Sequence, residues 1–227
     1  MIVNGAMSVI RNKKNRIDFP NPQTTETIED IILVGGVMTV DNLIESYRVG
    51  IFPWPHQGVP LLWFCPEERG ILDFCDLHIS TSLKKWIKKN EPNIKITVNQ
   101  NFAEVIKRCQ KQKRPGQRGS WINADILKNY SELQKQGYAL SLECWQVGSN
   151  GDIELISGIY GVQSKKYFSC ESMFFNRPNA SKFAFVKLVE YLKSKGHTWM
   201  DLQMVTDVSG SFGGKYISKK IFLKRID

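Results

Sequence analysis

The sequence predicts a layered α/β or α+β domain over residues 77–227, preceded by a small N-terminal domain over residues 1–76. Three observations carry this expectation. Residues up to about 76 are rich in Pro, Gly and aromatics, whereas from Leu77 onward helical and strand periodicities alternate, as a layered domain requires. A chain of 227 residues is also long enough to bury one substantial core beside a smaller unit.

The elements follow in order. Asp41–Val49 reads as a helix with Leu43, Ile44 and Tyr47 on one face, stopped by Gly50. Prolines bracket Ile51-Phe52-Pro53-Trp54-Pro55 and Leu61-Leu62-Trp63-Phe64-Cys65-Pro66, which excludes regular helix and predicts packed loops or edge strands. Phe102, Val105, Ile106 and Cys109 mark one helical face; Ile126, Tyr130 and Leu133 mark another, ended by Gly137. Residues 139–145, 153–162 and 166–170 predict strands, Phe185, Leu188, Val189 and Leu192 a long helix, and 199–203 a short strand after Gly196. If the last strand, helix and strand form a parallel crossover, Glu171 and Asp201 stand at the carboxyl ends of neighbouring strands, where ligands gather.

Composition narrows the function classes. No apolar run approaches the roughly 20 residues of a membrane span, and the N-terminus lacks the zones of a secretory signal, so a cytoplasmic protein that does not enter membranes is expected. Five scattered cysteines and three histidines support neither a disulfide scaffold nor a zinc site. The net charge of +9 comes from clusters: Arg11, Lys13, Lys14 and Arg16; Lys84, Lys85, Lys88 and Lys89; Lys107 through Arg118; and Lys215, Lys219, Lys220, Lys224 and Arg225. Several such clusters on one protein favour RNA or DNA over a set of solvated lysine faces. There is no Gly-x-x-x-x-Gly-Lys phosphate loop.

Two segments concentrate chemistry. Cys170-Glu171-Ser172-Met173-Phe174-Phe175 and Asp201-Leu202-Gln203 set polar groups beside apolar ones, which reads as a lined pocket because a carboxylate among apolar residues needs a partner. Asp201 and Gln203, two residues apart, can share one strand face. Cys170 is expected to be a buried, inert thiol rather than a nucleophile. Trp63, Phe64, Trp121, Met173 and Phe174 read as core or as the wall of an apolar hole beside Glu171 that suits an aminoacyl side chain. Gln134-Lys135-Gln136-Gly137-Tyr138-Ala139 fits the coenzyme A pyrophosphate pattern, but it ends a helix instead of opening one, so coenzyme A is not expected.

In order along the chain, Gly50-Ile51-Phe52-Pro53-Trp54, Leu62-Trp63-Phe64-Cys65-Pro66, Leu77-His78-Ile79-Ser80, Ser120-Trp121-Ile122-Asn123, Gly158-Ile159-Tyr160-Gly161-Val162, Glu171-Ser172-Met173-Phe174, Asn179-Ala180-Ser181-Lys182 and Asp201-Leu202-Gln203 resemble the leucyl/phenylalanyl-tRNA-protein transferase family. The likeness runs from about Phe19 to Phe222. It implies an α+β fold with a C-terminal acetyltransferase-like (GNAT) domain that uses no coenzyme A, no metal and no other cofactor. It implies transfer of leucine or phenylalanine, and also methionine, from aminoacyl-tRNA to the α-amine of proteins beginning with Lys or Arg, which marks the product for proteolysis. A monomer is expected.

The resemblance also implies roles. Gln203 would accept a hydrogen bond from the acceptor amine through its side-chain oxygen, Asp201 would polarise that amide, and Asp201 or the substrate would take the proton, since glutamine is no base. Glu171 would hold the donor ammonium group or help to select a cationic acceptor. Trp63, Trp121, Ile159, Met173 and Leu188 match the donor pocket, and Tyr130 lies near the terminal adenosine. The chain departs from the family pattern at Cys170 (usually Gly), Gln134 and Leu140 (His), Ile159 (Met or Leu), Asn123 (Thr) and Val208 (His). These departures leave room for altered donor or acceptor specificity, or for a non-catalytic tRNA-binding homologue.

Overall fold

A computed structural model describes residues 15–114, 119–164 and 166–227. In the N-terminal part, β1 (Ile31–Val34), α1 (Val40–Arg48), β2 (Phe52–Pro53) and β3 (Leu62–Phe64) follow one another, and the strands form an antiparallel sheet in the order β1-β3-β2. Thr39 caps α1 by accepting the Asn42 N–H. The proline-bracketed segments are thus short edge and centre strands, as their chemistry allows.

The rest of the chain continues with β4 (Glu68–Asp73), α2 (Thr81–Asn90), β5 (Ile94–Val98), α3 (Phe102–Lys111), α4 (Ala124–Lys135) and β6 (Ala139–Val147). Then come β7 (Ile153–Gln163), β8 (Phe168–Phe175), α5 (Ala180–Ser194), β9 (Trp199–Gln203), α6 (Asp207–Ser211), β10 (Lys215–Ser218) and α7 (Lys219–Ile226). Seven strands form one mixed sheet in the order β10-β4-β9-β8-β7-β6-β5, in which β8 and β9 are the parallel pair. This is an α+β architecture, and the crossover expected from residues 166–203 is present. The coenzyme A-like segment runs from the end of α4 into β6, so no helix starts there.

Strand β4 precedes the boundary expected near residue 76 yet pairs inside the larger sheet, between β9 and β10. The two sheets therefore separate earlier, between Phe64 and Glu68. Their cores do not separate: Leu43, Tyr47 and Trp63 share one apolar cluster with Phe102, Val105, Ile126, Tyr130 and Phe174, so the small sheet, α3 and α4 pack together on one face of the large sheet. On its other face α5 supplies Phe183, Phe185, Leu188 and Leu192 to a second cluster. A third, around Tyr167, Trp199 and Phe222, anchors α7.

Of the basic clusters, Arg11, Lys13, Lys14 and Arg118 lie outside the described residues. Lys84, Lys85, Lys88 and Lys89 are exposed on α2. The C-terminal cluster is partly neutralised: Lys215 and Arg225 pair with Asp73, and Lys219 pairs with Glu67. No helix among the described residues is long and apolar enough to cross a membrane.

Gly161 of β7 sits where β8 changes register, and a Cβ there would lie 2.2 Å from the Ser169 carbonyl oxygen and 2.3 Å from the Phe168 ring. Gly161→Ala is therefore expected to lower stability by about 1–3 kcal/mol, read as a lower urea midpoint with an unchanged slope; an unmoved midpoint would contradict the packing described.

Candidate active site

The parallel strands β8 and β9 stay together only at Phe168↔Met200 and Ser169↔Asp201, and then part. Each carries an unmatched residue at that point. On β8 the partners pass from Gly161↔Cys170 to Tyr160↔Ser172, which leaves Glu171 without an opposite residue. On β9 they pass from Ile71↔Asp201 to Gly70↔Gln203, which leaves out Leu202. Bulges bend and twist their strands and re-aim side chains; here they open a crevice. A cavity of about 260 Å³ occupies it, walled by Trp54, Trp121, Met173, Phe185 and Leu202 and edged by Arg114, Glu171 and Gln203.

A buried ion pair sets the shape of β9. Arg69 of β4 donates from Nε to Asp201 Oδ1 and from Nη2 to Asp201 Oδ2, both at 2.8 Å, with both side chains out of solvent. Burial opposes the Arg69 charge, but Asp201 more than offsets it and raises the Arg69 pKa. Asp201 also accepts the Ser169 hydroxyl at 2.8 Å and the Gln203 backbone N–H at 2.9 Å. Gln203 has φ of 62°, and Met204 N–H reaches back to the Leu202 carbonyl at 2.7 Å, which is a γ-turn of the rare, strained hand. Gly70 makes room for it, because a Cβ there would fall 2.6 Å from the Met204 carbonyl carbon.

The turn delivers the Gln203 side chain to Glu171. Gln203 Nε2 donates to Glu171 Oε1 at 2.8 Å and lies 3.4 Å from Ser169 Oγ. Removal from water pushes the Glu171 pKa up to about 7; hydrogen bonds from Tyr47, Gln203 and Ser169 pull it down, while the charge of Asp201 pushes it further up. Burial keeps the Tyr47 hydroxyl protonated, and it lies 2.6 Å from the Tyr130 hydroxyl. Either hydroxyl of this pair can be the donor.

The expected site residues divide into two groups. Glu171, Gln203, Trp121 and Met173 meet at the cavity. Trp63, Ile159, Leu188 and Tyr130 are fully buried and do not line it. Trp63 is held by its indole N–H on the Gly35 carbonyl and by the edge of Phe19, and Ile159 lies opposite Met173 in the sheet register. Asp201 does not polarise the Gln203 amide: the bulge and the γ-turn break the strand alternation that would have put them side by side, so Asp201 binds the Gln203 backbone and Glu171 binds the amide. With its oxygens engaged by Arg69 and Ser169, Asp201 does not reach the cavity to take a proton. Arg69, Tyr47, Arg114 and Phe185 were not singled out as site residues. Arg69 directly precedes the run Gly70-Ile71-Leu72 and follows Glu67 and Glu68, so no local pattern marked it as buried.

Burial pushes the Cys170 thiol well above its usual range, so no thiolate is present near neutrality. The cavity hydroxyls are engaged elsewhere, Ser172 with Arg114 and Thr206 with Ser209, and none contacts a base. Among the described residues the site offers no activated nucleophile of its own, and what the arrangement can do is position bound groups and handle a proton.

Residues 71–227 match the family leucyl/phenylalanyl-tRNA protein transferase, and residues 36–67 match its N-terminal domain. The leucyl/phenylalanyl-tRNA–protein transferase of Flavobacterium psychrophilum is 39% identical over 209 residues, covering 92% of this chain and 95% of its own length. That of Flavobacterium johnsoniae is 40% identical over 205 residues, covering 90% and 93%. A crystal structure of FemX shares the fold at a TM-score of 0.51 with 9% identity, over 79% of this chain and 66% of that one. The chain belongs to the leucyl/phenylalanyl-tRNA-protein transferase family. It is an aminoacyltransferase that moves an amino acid from aminoacyl-tRNA to a protein N-terminus.

Tyr47→Phe removes a donor to the ionised Glu171 carboxylate and so raises its pKa above about 7. If ionised Glu171 is the active form, the acid limb of the pH–rate profile moves to higher pH, the rate at pH 7 falls and the alkaline plateau is kept. A limb that stays in place would contradict the Tyr47 contact.

Proposed function

We propose that Glu171 and Gln203 carry out the transfer at the edge of the cavity, with leucine, phenylalanine or methionine seated against Trp121, Met173, Phe185 and Leu202. The observation that carries this reading is the 2.8 Å hydrogen bond from Gln203 Nε2 to Glu171 Oε1. It commits the donor side of the amide to the carboxylate and leaves the amide oxygen to accept an N–H of the acceptor amine. That amine attacks the ester carbonyl carbon, the new C–N bond forms, and the bond to the tRNA ribose oxygen breaks. The amine's proton passes to Glu171, whose pKa of about 7 suits exchange with an α-amine near about 8, and from there to the departing ribose oxygen.

In this reading Trp63, Ile159 and Leu188 back the donor pocket from behind its wall, and Tyr130 acts on the terminal adenosine end through Tyr47. Acceptors are proteins beginning with Lys or Arg, and the product carries a destabilising N-terminal residue. The splayed β8 and β9 support a GNAT-like arrangement used without a cofactor. The enzyme works as a cytoplasmic monomer, with the exposed lysines of α2 among the charges that meet tRNA.

Incubation with leucyl- or phenylalanyl-tRNA and an Arg-initiated peptide should yield a peptide one residue longer, read by mass, whereas an Asp-initiated peptide should be unchanged. Gln203→Ala is expected to lower kcat by about 100-fold with little change in KM for aminoacyl-tRNA. Absence of product from the folded protein, or extension of the acidic peptide in place of the basic one, would contradict this reading.

A further inference from the structure

Among the described side chains around the cavity, Glu171 is the one carboxylate and Arg114 the one cation. Glu171 has partners that account for it. Arg114, half-buried beyond the end of α3, instead reaches over to β8, where Nη2 contacts Ser172 Oγ at 2.8 Å and the Met173 carbonyl at 3.2 Å. Neither acceptor carries a charge. Arg69, Arg108 and Arg225 each pair with a carboxylate, whereas Arg114 forms no ion pair among the described residues. The remaining parts of the chain, residues 1–14, 115–118 and 165, contain no Asp or Glu, so they offer no counter-ion.

A guanidinium held partly out of water without a counter-ion, beside Trp121 and Met173, is costly unless an anion arrives with the ligand. Its geometry suits such an arrival. A guanidinium has five N–H donors in a planar fork. Ser172 and Met173 take the two on Nη2, and Gln112 O, at 3.4 Å, takes one from Nη1. One Nη1 donor and the Nε donor remain, on opposite edges of the guanidinium, so either one can donate a charge-assisted hydrogen bond to a single oxygen of an arriving anion. Exposed Lys107, Lys111 and Lys113 continue the positive charge along α3 and its end.

We propose that Arg114 is the anion-binding residue of the donor site and holds the phosphodiester group that joins the last two nucleotides of the aminoacyl-tRNA. The inference rests on the aminoacyl-transfer reading above. The donor brings the aminoacyl group into the cavity by its terminal ribose, and the nearest anion covalently tied to that ribose is this phosphodiester. The acceptor reacts through an amine, so an anion on its side would have to be a carboxylate further along the peptide. By fixing the phosphate, Arg114 sets how deeply the terminal nucleoside enters and therefore where the ester carbonyl lies relative to Gln203. It is a positioning residue that touches the donor away from the reacting atoms.

The test compares Arg114→Gln and Arg114→Lys with the wild-type protein, using leucyl-tRNA, the leucyl ester of cytidylyl-adenosine, which has one phosphodiester, and the leucyl ester of adenosine, which has none. Arg114→Gln should raise KM for the first two donors by about 10-fold or more and lessen the dependence of log KM on log salt for leucyl-tRNA by about 0.7. The adenosine ester and the KM for the acceptor peptide should be unaffected, and Arg114→Lys should restore the salt dependence with only part of the affinity. Binding of uncharged cytidylyl-adenosine, followed by tryptophan fluorescence, reads the same contact whether or not transfer occurs; it should weaken by about 10-fold in Arg114→Gln. An equal loss with all three donors would overturn the proposal in favour of a pocket-wall role. A rise in KM confined to acidic acceptor peptides would overturn it by assigning the anion to the acceptor.

Discussion

Arg69 and Asp201 lie on adjacent strands in the middle of the large sheet, fully out of water, and face one another through two hydrogen bonds of 2.8 Å. Everything that distinguishes the site from an ordinary strand end passes through this pair. Asp201 fixes the backbone N–H of Gln203 and the hydroxyl of Ser169, the last paired residue of β8. Arg69 lies between the rings of Phe52 and Phe222 and donates to the Gly50 carbonyl at 3.1 Å, so the N-terminal sheet and α7 are tied to the same point. Removal of either partner from a buried pair costs about 3–5 kcal/mol because the other is left uncompensated. In this protein that loss would also release the γ-turn that aims Gln203.

The division of labour among the acidic groups follows from that constraint. A carboxylate committed to a guanidinium is a poor proton acceptor and a good anchor. In the proposed reaction proton handling falls to Glu171, which stands at a bulge, is drawn out of water, and is surrounded by groups that act in opposite directions. Tyr47 from α1, Ser169 from its own strand and Gln203 from β9 stabilise its charge, while burial and Asp201 oppose it. The result is a carboxylate near neutrality, where it can take a proton and return it within one turnover. Tyr47 also shares a hydrogen bond with the Tyr130 hydroxyl on α4 and lends its backbone carbonyl to Tyr167. The helix of the small N-terminal part is thereby built into the electrostatics of the active site, which explains why the two sheets share a core.

Helices and strands with clear periodicity were legible in the sequence: the apolar faces of α3, α4 and α5 and the strands β6, β7 and β9 stand where residue spacing puts them, whereas β8 runs from Phe168 to Phe175, so Glu171 lies within the strand and not at its carboxyl end. Less legible were β4, α2, β5, β10 and α7, whose short or charge-rich segments show little periodicity, and the start of the large sheet before residue 76. The same limit applies to the site. Glu171 and Gln203 could be singled out because a polar group among aromatics and methionine is conspicuous. Their relation to Asp201 could not, because strict alternation of strand faces fails at two bulges and at a left-handed glutamine, none of which the local sequence announces. Arg69 lies 132 positions from Asp201, and no local pattern couples residues so far apart. Three residues matched to the donor pocket by resemblance, Trp63, Ile159 and Leu188, and Tyr130 matched to the adenosine end, are buried and absent from the cavity lining; burial of aromatic and branched residues is decided by tertiary packing, which a motif does not encode.

The central claim is that Asp201 positions Gln203 while Glu171 handles the proton, and the pH–rate profile of Asp201→Asn tests it most directly. Asparagine removes the negative charge that helps to raise the Glu171 pKa. On the fraction of protein that remains folded, the account predicts a lower kcat together with an acid limb that persists and moves to lower pH. Loss of the limb, giving a rate independent of pH across neutrality, would identify Asp201 as the titrating base and contradict the account.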